Sequence, residues 1–392
     1  MHMTSRFILA LLGASLAGIG VAAAQTEIKV GVISTMSGPD AQPGDEMNKG
    51  IDLYVKTHEK DLPPGVKVTL IYRDDTGANP DIAKRLATEL VTRDHVNILA
   101  GAVWSPNASA IAAVATEAKT PFVDMNAASA PLTRLSPYMV RDRFTLWQVA
   151  GPIGEWAAKQ GWKKGYTAVT DYPPGYDAEG GFTTSFEKGG GKVVDKIRMA
   201  FPTEDFTPFI QRIKDSKPDV AFIFVPAGKK ATAVMKAWND LGLKQAGVTL
   251  VTTQDVMLDE ELPNMTQVGT GIVSSGTYSN VATRPANQVF MNAWNAAYGG
   301  KAIPDFLSVQ GWDGMDAIYA VIKQTNGKFD GDQAMKILSN WKSDNSPRGP
   351  ISINPATRDI IENIYIRRGE MVNGKLANVE FDTIPNVKDR KS

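Results

Sequence analysis

Val96-Asn97-Ile98-Leu99-Ala100-Gly101-Ala102-Val103-Trp104-Ser105-Pro106-Asn107 leads into a segment with apolar residues at Ile111, Val114 and Ala118. Val96 to Ala100 has the length and apolar character of a strand covered on both faces. Ser105-Pro106 places a capping residue before the residue best tolerated at the first helical position, and the apolar residues that follow share one helical face. The stretch therefore reads strand, turn, helix. The same order recurs upstream, with a strand at 27–34, a helix at 47–59, a strand at 67–73 and a helix opened by Asn79-Pro80. It recurs downstream through helix 145–160, strand 165–170, helix 177–188, strand 192–198, helix 206–214, strand 220–225, helix 231–241 and strand 248–252. Alternation of this kind predicts βαβ units and parallel sheets with helices on both faces.

The chain has 392 residues, more than one ordinary domain holds, so two similar doubly wound α/β lobes are expected rather than one large sheet. Helices at 287–298, 312–324 and 332–341 should return to the first lobe. A final strand pair, 359–367 and 370–376 turning at Gly369, should close the second. This gives lobe 1 as 25–145 plus 277–350 and lobe 2 as 146–276 plus 351–392, joined by a multi-strand hinge. The carboxyl ends of the two sheets then face a common cleft.

Composition narrows the function. Hydrophobic residues at 43% and charged residues at 21% exclude a disordered or polytopic membrane chain. No cysteine is present, which removes disulfides, thiol nucleophiles and Cys-ligated metals. Lys+Arg of 42 against Asp+Glu of 42 gives no basic surface for nucleic acid. Residues 1–24 combine Arg6, a short apolar run from Phe7 to Gly20 and Ala22-Ala23-Ala24, the pattern of a signal peptide cleaved after Ala24. An exported, monomeric protein of the periplasm is the expectation.

Of three histidines, His2 lies in the leader, His58 ends a polar helix and His95 precedes a strand, so none stands where an α/β active site is built. No phosphate loop, dinucleotide fingerprint, G-x-S-x-G or H-E-x-x-H occurs. Asp74-Asp75 reads as a pair of solvated turn residues. Catalysis, a metal and a cofactor are not expected. What is present is an anion site: the turn at 101–107 opens a helix whose first amides and the Ser105 hydroxyl can hold a carboxylate, with Ser105, Asn107 and Ala108 as donors because Pro106 has no N–H. The competing reading is that Ser105 caps its own helix. A second turn, Asn126-Ala127-Ala128-Ser129-Ala130, offers small residues that let backbone approach a ligand.

These features occur in a fixed order with Val30-Gly31-Val32-Ile33, Met36-Ser37-Gly38-Pro39 and Arg348-Gly349-Pro350-Ile351-Ser352-Ile353. Together they resemble the leucine/isoleucine/valine-binding branch of the periplasmic binding proteins of ABC importers, which have the type I fold. The resemblance implies a small carboxylate ligand held between two lobes and an inner-membrane permease as partner. It places the carboxylate-binding serine on Ser105 and the second hydroxyl on Ser129, with Ala127 and Ala128 contributing backbone. The acidic partner of a ligand ammonium falls on Gln254, with Asp255 beside it. Aromatic wall positions fall on Pro43, Gly175 and Pro226, with Tyr176 as a substitute. Trp104 and Tyr176 are candidate stacking rings, and Arg141 is either a second cationic contact or a structural ion pair. Losing the ammonium partner and wall rings favours an aromatic acid; an amino acid ligand, a ligand-sensing regulator and a secreted hydrolase are the alternatives.

Overall fold

A computed structural model of the chain describes residues 25–300 and 302–390. In the first lobe β1 (Thr26–Ser34), α1 (Gln42–Thr57), β2 (Val66–Asp74), α2 (Pro80–Thr92), β3 (Ile98–Gly101), α3 (Ser105–Ala118), β4 (Phe122–Asp124) and β5 (Met139–Arg141) follow one another. The strands form a sheet in the order β2-β1-β3-β4-β5, every neighbouring pair parallel. Asn79 caps α2 by accepting from Ile82 N, as its Asn-Pro signature predicts.

The second sheet begins after α4 (Leu146–Lys159), which Thr145 opens with a capping box to Gln148. Then come β6 (Lys164–Asp171), α5 (Pro173–Lys188), β7 (Lys192–Ala200), α6 (Thr207–Ser216), β8 (Val220–Phe224), α7 (Lys229–Asp240), β9 (Thr249–Thr253), α8 (Thr266–Gly269) and β10 (Val273–Gly276). The chain goes back to the first lobe as α9 (Pro285–Tyr298), α10 (Phe306–Thr325) and α11 (Gly331–Leu338). Gly50 and Gly311 let α1 and α10 touch through their backbones: a Cβ on Gly50 would stand 1.9 Å from Ser308 O, and one on Gly311 2.2 Å from Met47 O. Such contact fixes the returning helices on the first lobe.

β11 (Lys342–Ser343), β12 (Ile351–Ile353), β13 (Ile360–Val372) and β14 (Lys375–Val387) complete the second sheet, in the order β11-β12-β13-β10-β9-β8-β6-β7 with β14 on β13. Its core is parallel and the late strands are antiparallel. The final hairpin differs from expectation. Its turn is Asn373-Gly374, both at positive φ, while Gly369 lies within β13 against the backbone of Gly269. Two left-handed residues in a two-residue loop match the twist of paired strands, and Asn-Gly meets that requirement at least cost.

The segments passing between the sheets are tied by buried ions. Arg348 donates from Nε to Asp313 at 2.8 Å, from Nη1 to Glu362 at 2.9 Å and from Nη2 to Asp142 O at 2.7 Å. Among the described residues no helix is long and apolar enough to cross a membrane. The expected cleavage after Ala24 lies outside the described residues.

Candidate ligand cleft

At the end of β3, Gly101 and Ala102 both take positive φ and turn the chain into α3. Trp104 occupies the N-cap position in extended conformation without a side-chain cap, so Ser105 is the first helical residue and does not cap its own helix. Its Oγ instead accepts from Ser129 N at 3.2 Å, joining the two turns. Of the three expected amides, that of Ala108 is spent on Trp104 O at 2.9 Å. No backbone carbonyl among the described residues takes those of Ser105 and Asn107.

The Asn107 side chain faces away, donating to Asp75 Oδ2 at 2.7 Å and Gly77 O at 2.8 Å. Asp75 also accepts from Thr35 Oγ1 at 2.6 Å, and Thr35 accepts from Trp104 Nε1 at 2.9 Å. Asp75 is therefore a buried brace under the turn, correcting its reading as a solvated residue. Burial pushes its carboxyl up, against the pull of Thr35 and Asn107. Asp74 does act in a turn, accepting from Met36 N and Thr76 N.

Between the sheets lies a narrow cavity with free space of about 20 Å³, nearly closed by the residues that line it. The first lobe contributes Pro43, Val103, Trp104, Ser105, Asn126 and Ala128; the second contributes Tyr172, Pro174, Pro226, Ala227 and Asp255. Arg143, on the crossover after β5, completes the wall. It is 4% exposed, donates from Nη1 to Asn126 O at 2.7 Å and from Nη2 to Asp255 Oδ1 at 2.8 Å, and its Nε has no partner among the described residues. The guanidinium lies 4.1 Å from the Phe144 ring centroid. Burial lowers its pKa, with Asp255 opposing; an arginine nonetheless keeps its proton at neutral pH. Asp255 Oδ2 accepts from Thr253 Oγ1 at 2.9 Å, so both its oxygens are engaged. Phe201 of the second lobe meets Trp104 of the first edge-on at 5.4 Å and Tyr172 at 5.2 Å, giving the cavity an aromatic flank.

Residues 27–375 match the family model for periplasmic binding proteins. The chain belongs to the periplasmic binding protein family. It is 37% identical over 385 residues, 97% of this chain and 98% of the relative, to "Leu/Ile/Val-binding protein homolog 6" of Brucella melitensis. Two solved structures are similar at 42% identity, each covering 93% of this chain and 99% of its own. One is an ABC transporter solute-binding protein from R. palustris in complex with 4-hydroxybenzoate, TM-score 0.90. The other is a solute-binding protein from Rhodopseudomonas palustris BisB5 in complex with 3,4-dihydroxybenzoic acid, TM-score 0.89. The chain is thus a two-lobed transport protein of the exported, periplasmic class, and not an enzyme.

In this binding protein Pro43, Trp104, Ser105, Ala128 and Asp255 line the cavity, with Pro226 beside them. Other expected contacts stand elsewhere. Ala127 is fixed by its amide to Asp124 and its carbonyl to Arg141, and Ser129 by its amide to Ser105 and its carbonyl to Arg141. Arg141 takes the structural alternative, fully buried with Nη2 2.6 Å from Asp359 Oδ1. Tyr176 is 42% exposed, donates to Asp171 and lies under Arg198. Gln254 turns inward, its Oε1 accepting from Thr277 N at 2.7 Å. A ring at Gly175 is sterically excluded, because a Cβ there would stand 1.8 Å from Thr170 O where α5 docks on β6.

The cavity residues not expected as contacts are Val103, Asn126, Arg143, Tyr172, Pro174 and Ala227, of which Arg143 and Tyr172 bear most on the ligand. Arg143 follows a short strand with no motif around it, and its partner Asp255 is 112 positions away. Tyr172 lies two residues after the expected strand end at 170, where a side chain meets the cleft, and that spacing is the signal that marks it. The cavity wall contains neither histidine nor cysteine, and its one carboxylate is engaged, so it offers no metal ligand set.

Proposed function

We propose that this protein is the solute-binding component of an ABC importer and that it captures an aromatic carboxylate in the interlobe cleft for delivery to a membrane permease. The lobes, divided near residues 145 and 277 and ahead of β11 rather than at 350 because β11 pairs into the second sheet, close on the ligand, and the closed form is what the permease recognises. The observation that carries the ligand class is the engagement of Asp255 by Arg143 and Thr253 while Gln254 faces Thr277. An α-ammonium entering this cavity finds no free countercharge, at a cost of several kcal/mol. A carboxylate is better served: Ser105 Oγ, the first amides of α3 and the unpaired Arg143 Nε all favour negative charge.

The ring supplies the affinity. Burying about 150 Å² of aromatic surface at about 25 cal/mol/Å² is worth roughly 4 kcal/mol, against about 0.3 to 2 kcal/mol from a helix terminus. The charge therefore orients the ligand, and Trp104, Tyr172 and the prolines hold it. The hydroxybenzoates bound by the two Rhodopseudomonas proteins fit this chemistry; the name of the Brucella relative points instead to branched-chain amino acids. A thermal-shift panel separates the readings, since a ligand that binds only the native state raises its melting temperature. Benzoate and 4-hydroxybenzoate should raise it, and leucine and valine should not. The reverse result overturns the assignment.

A further inference from the structure

Beside Pro43 of the cavity wall, three carboxylates from both lobes converge. Glu46 on α1 and Asp305 at the N-cap of α10 belong to the first lobe; Glu260, in the 3-10 segment Asp259–Met265 after β9, belongs to the second. One oxygen of each lies within 4.8 Å of the others. Glu46 is 2% exposed, Asp305 is fully buried and Glu260 is half-buried. Lys49 pairs with Glu46 Oε1, Gln42 Nε2 donates to Glu260 Oε2, and Asp305 Oδ1 is spent on Leu307 N and Ser308 N. Glu46 Oε2 and Asp305 Oδ2 are buried with no donor among the described residues. The charges facing the cluster from the surrounding elements are Asp45, Asp259 and Glu261, all negative, and Lys49; the Tyr298 hydroxyl is turned to Lys49 O. The three clustered carboxylates, with three more around them, thus face one lysine where the two lobes touch.

Opening would carry Glu260 away and readmit water to Glu46. Closing must bring like charges together in low dielectric or neutralise one of them. A proton shared between the carboxylates removes a charge and gives a bare oxygen its missing donor. We propose that Glu46, Glu260 and Asp305 form a proton-linked latch: lobe closure takes up a proton, so ligand capture strengthens as the pH falls from 8 to 6.

Burial first, then the charge of Glu260, pushes Glu46 up to about 7 in the closed form, and Glu260 and Asp305 are raised as well. An acid whose pKa rises on closure favours the closed form below the raised value, and that preference fades as pH climbs through about 7. If Glu46 relaxes to an ordinary 4.5 on opening, one proton makes binding up to about tenfold tighter at pH 6 than at pH 8. A benzoic acid is fully ionised throughout that range and adds no slope of its own.

The test is titration calorimetry with 4-hydroxybenzoate at pH 6, 7 and 8, on the full protein and on Glu260→Gln and Glu46→Gln, alongside energy transfer between dyes placed one on each lobe. The wild type should bind several-fold tighter at pH 6 and show shorter lobe separation at low pH. Both substitutions should flatten the profile and leave affinity at pH 8 close to the wild-type value at pH 6. The calorimetric arm rests on the aromatic-acid reading and the lobe-separation arm does not, so an acid that fails to bind at every pH sinks that reading and leaves dye separation to decide the latch. Identical pH profiles in wild type and variants, or a wild-type profile abolished by EDTA, overturn the latch.

Discussion

Replacing Asp255 with asparagine separates the two ligand readings by the sign of its effect. Asp255 and Arg143 each have side chains 5% exposed and stand 2.8 Å apart. Removing the negative charge leaves Arg143 held by Asn126 O and an amide, so the ligand-free protein should lose about 2 to 4 kcal/mol, at the lower end of a broken buried pair because asparagine keeps an acceptor. A carboxylate in the cavity would then meet a cation whose charge is no longer cancelled. Taking about 8 Å between the Asp255 and ligand carboxylates and an effective dielectric of about 20, the relieved repulsion is about 2 kcal/mol, or roughly thirtyfold in affinity. Calorimetry with unsubstituted benzoate, which has no ring hydroxyl to engage Asp255, should show tighter binding in Asp255→Asn, while the melting temperature of the free protein falls by a few degrees. If Asp255 were an ammonium partner, the substitution would abolish amino acid binding. A tenfold loss of benzoate affinity, or an unchanged melting temperature, would refute the reasoning.

Ser105→Ala removes a hydroxyl that faces the cavity and should weaken benzoate binding by about 1 to 3 kcal/mol, and it should also lower the melting temperature of the free protein because Ser129 N loses its acceptor; unchanged affinity would take Ser105 out of the site. Tyr172→Ala, which strips an aromatic wall, should cost about 2 kcal/mol or more of benzoate affinity, whereas Tyr176→Ala, at an exposed ring, should cost little; equal losses would contradict the placement of both. Gly175→Ala forces a Cβ against Thr170 O, so urea unfolding should show a loss of more than about 2 kcal/mol, and wild-type stability would mean that α5 docks less tightly than described.

Local patterns carried much of this fold. The strand, turn and helix at 96–118 needs only apolar runs, a cap and a proline, and the structure places its turn in the cavity wall. Asn373-Gly374 is equally readable, because an Asn-Gly pair between β-rich runs is a stronger short-range hairpin signal than the lone Gly369. The rest depended on partners remote in sequence. Asp75 reads as solvated until Thr35 and Asn107 close over it, and Arg143 gains meaning only when β9 brings Asp255 within reach. The absence of a ring at Gly175 has a steric cause that no local pattern shows: Thr170 O occupies the space a side chain would need.

A crystal structure of the protein grown with 4-hydroxybenzoate is the most direct test. The carboxylate should lie at the start of α3, within hydrogen-bond distance of Ser105 Oγ, with the ring between Trp104 and Tyr172 and Asp255 still paired with Arg143. An acid group bound at another place, or an amino acid lodged in the cleft with its ammonium on Asp255, would contradict that placement.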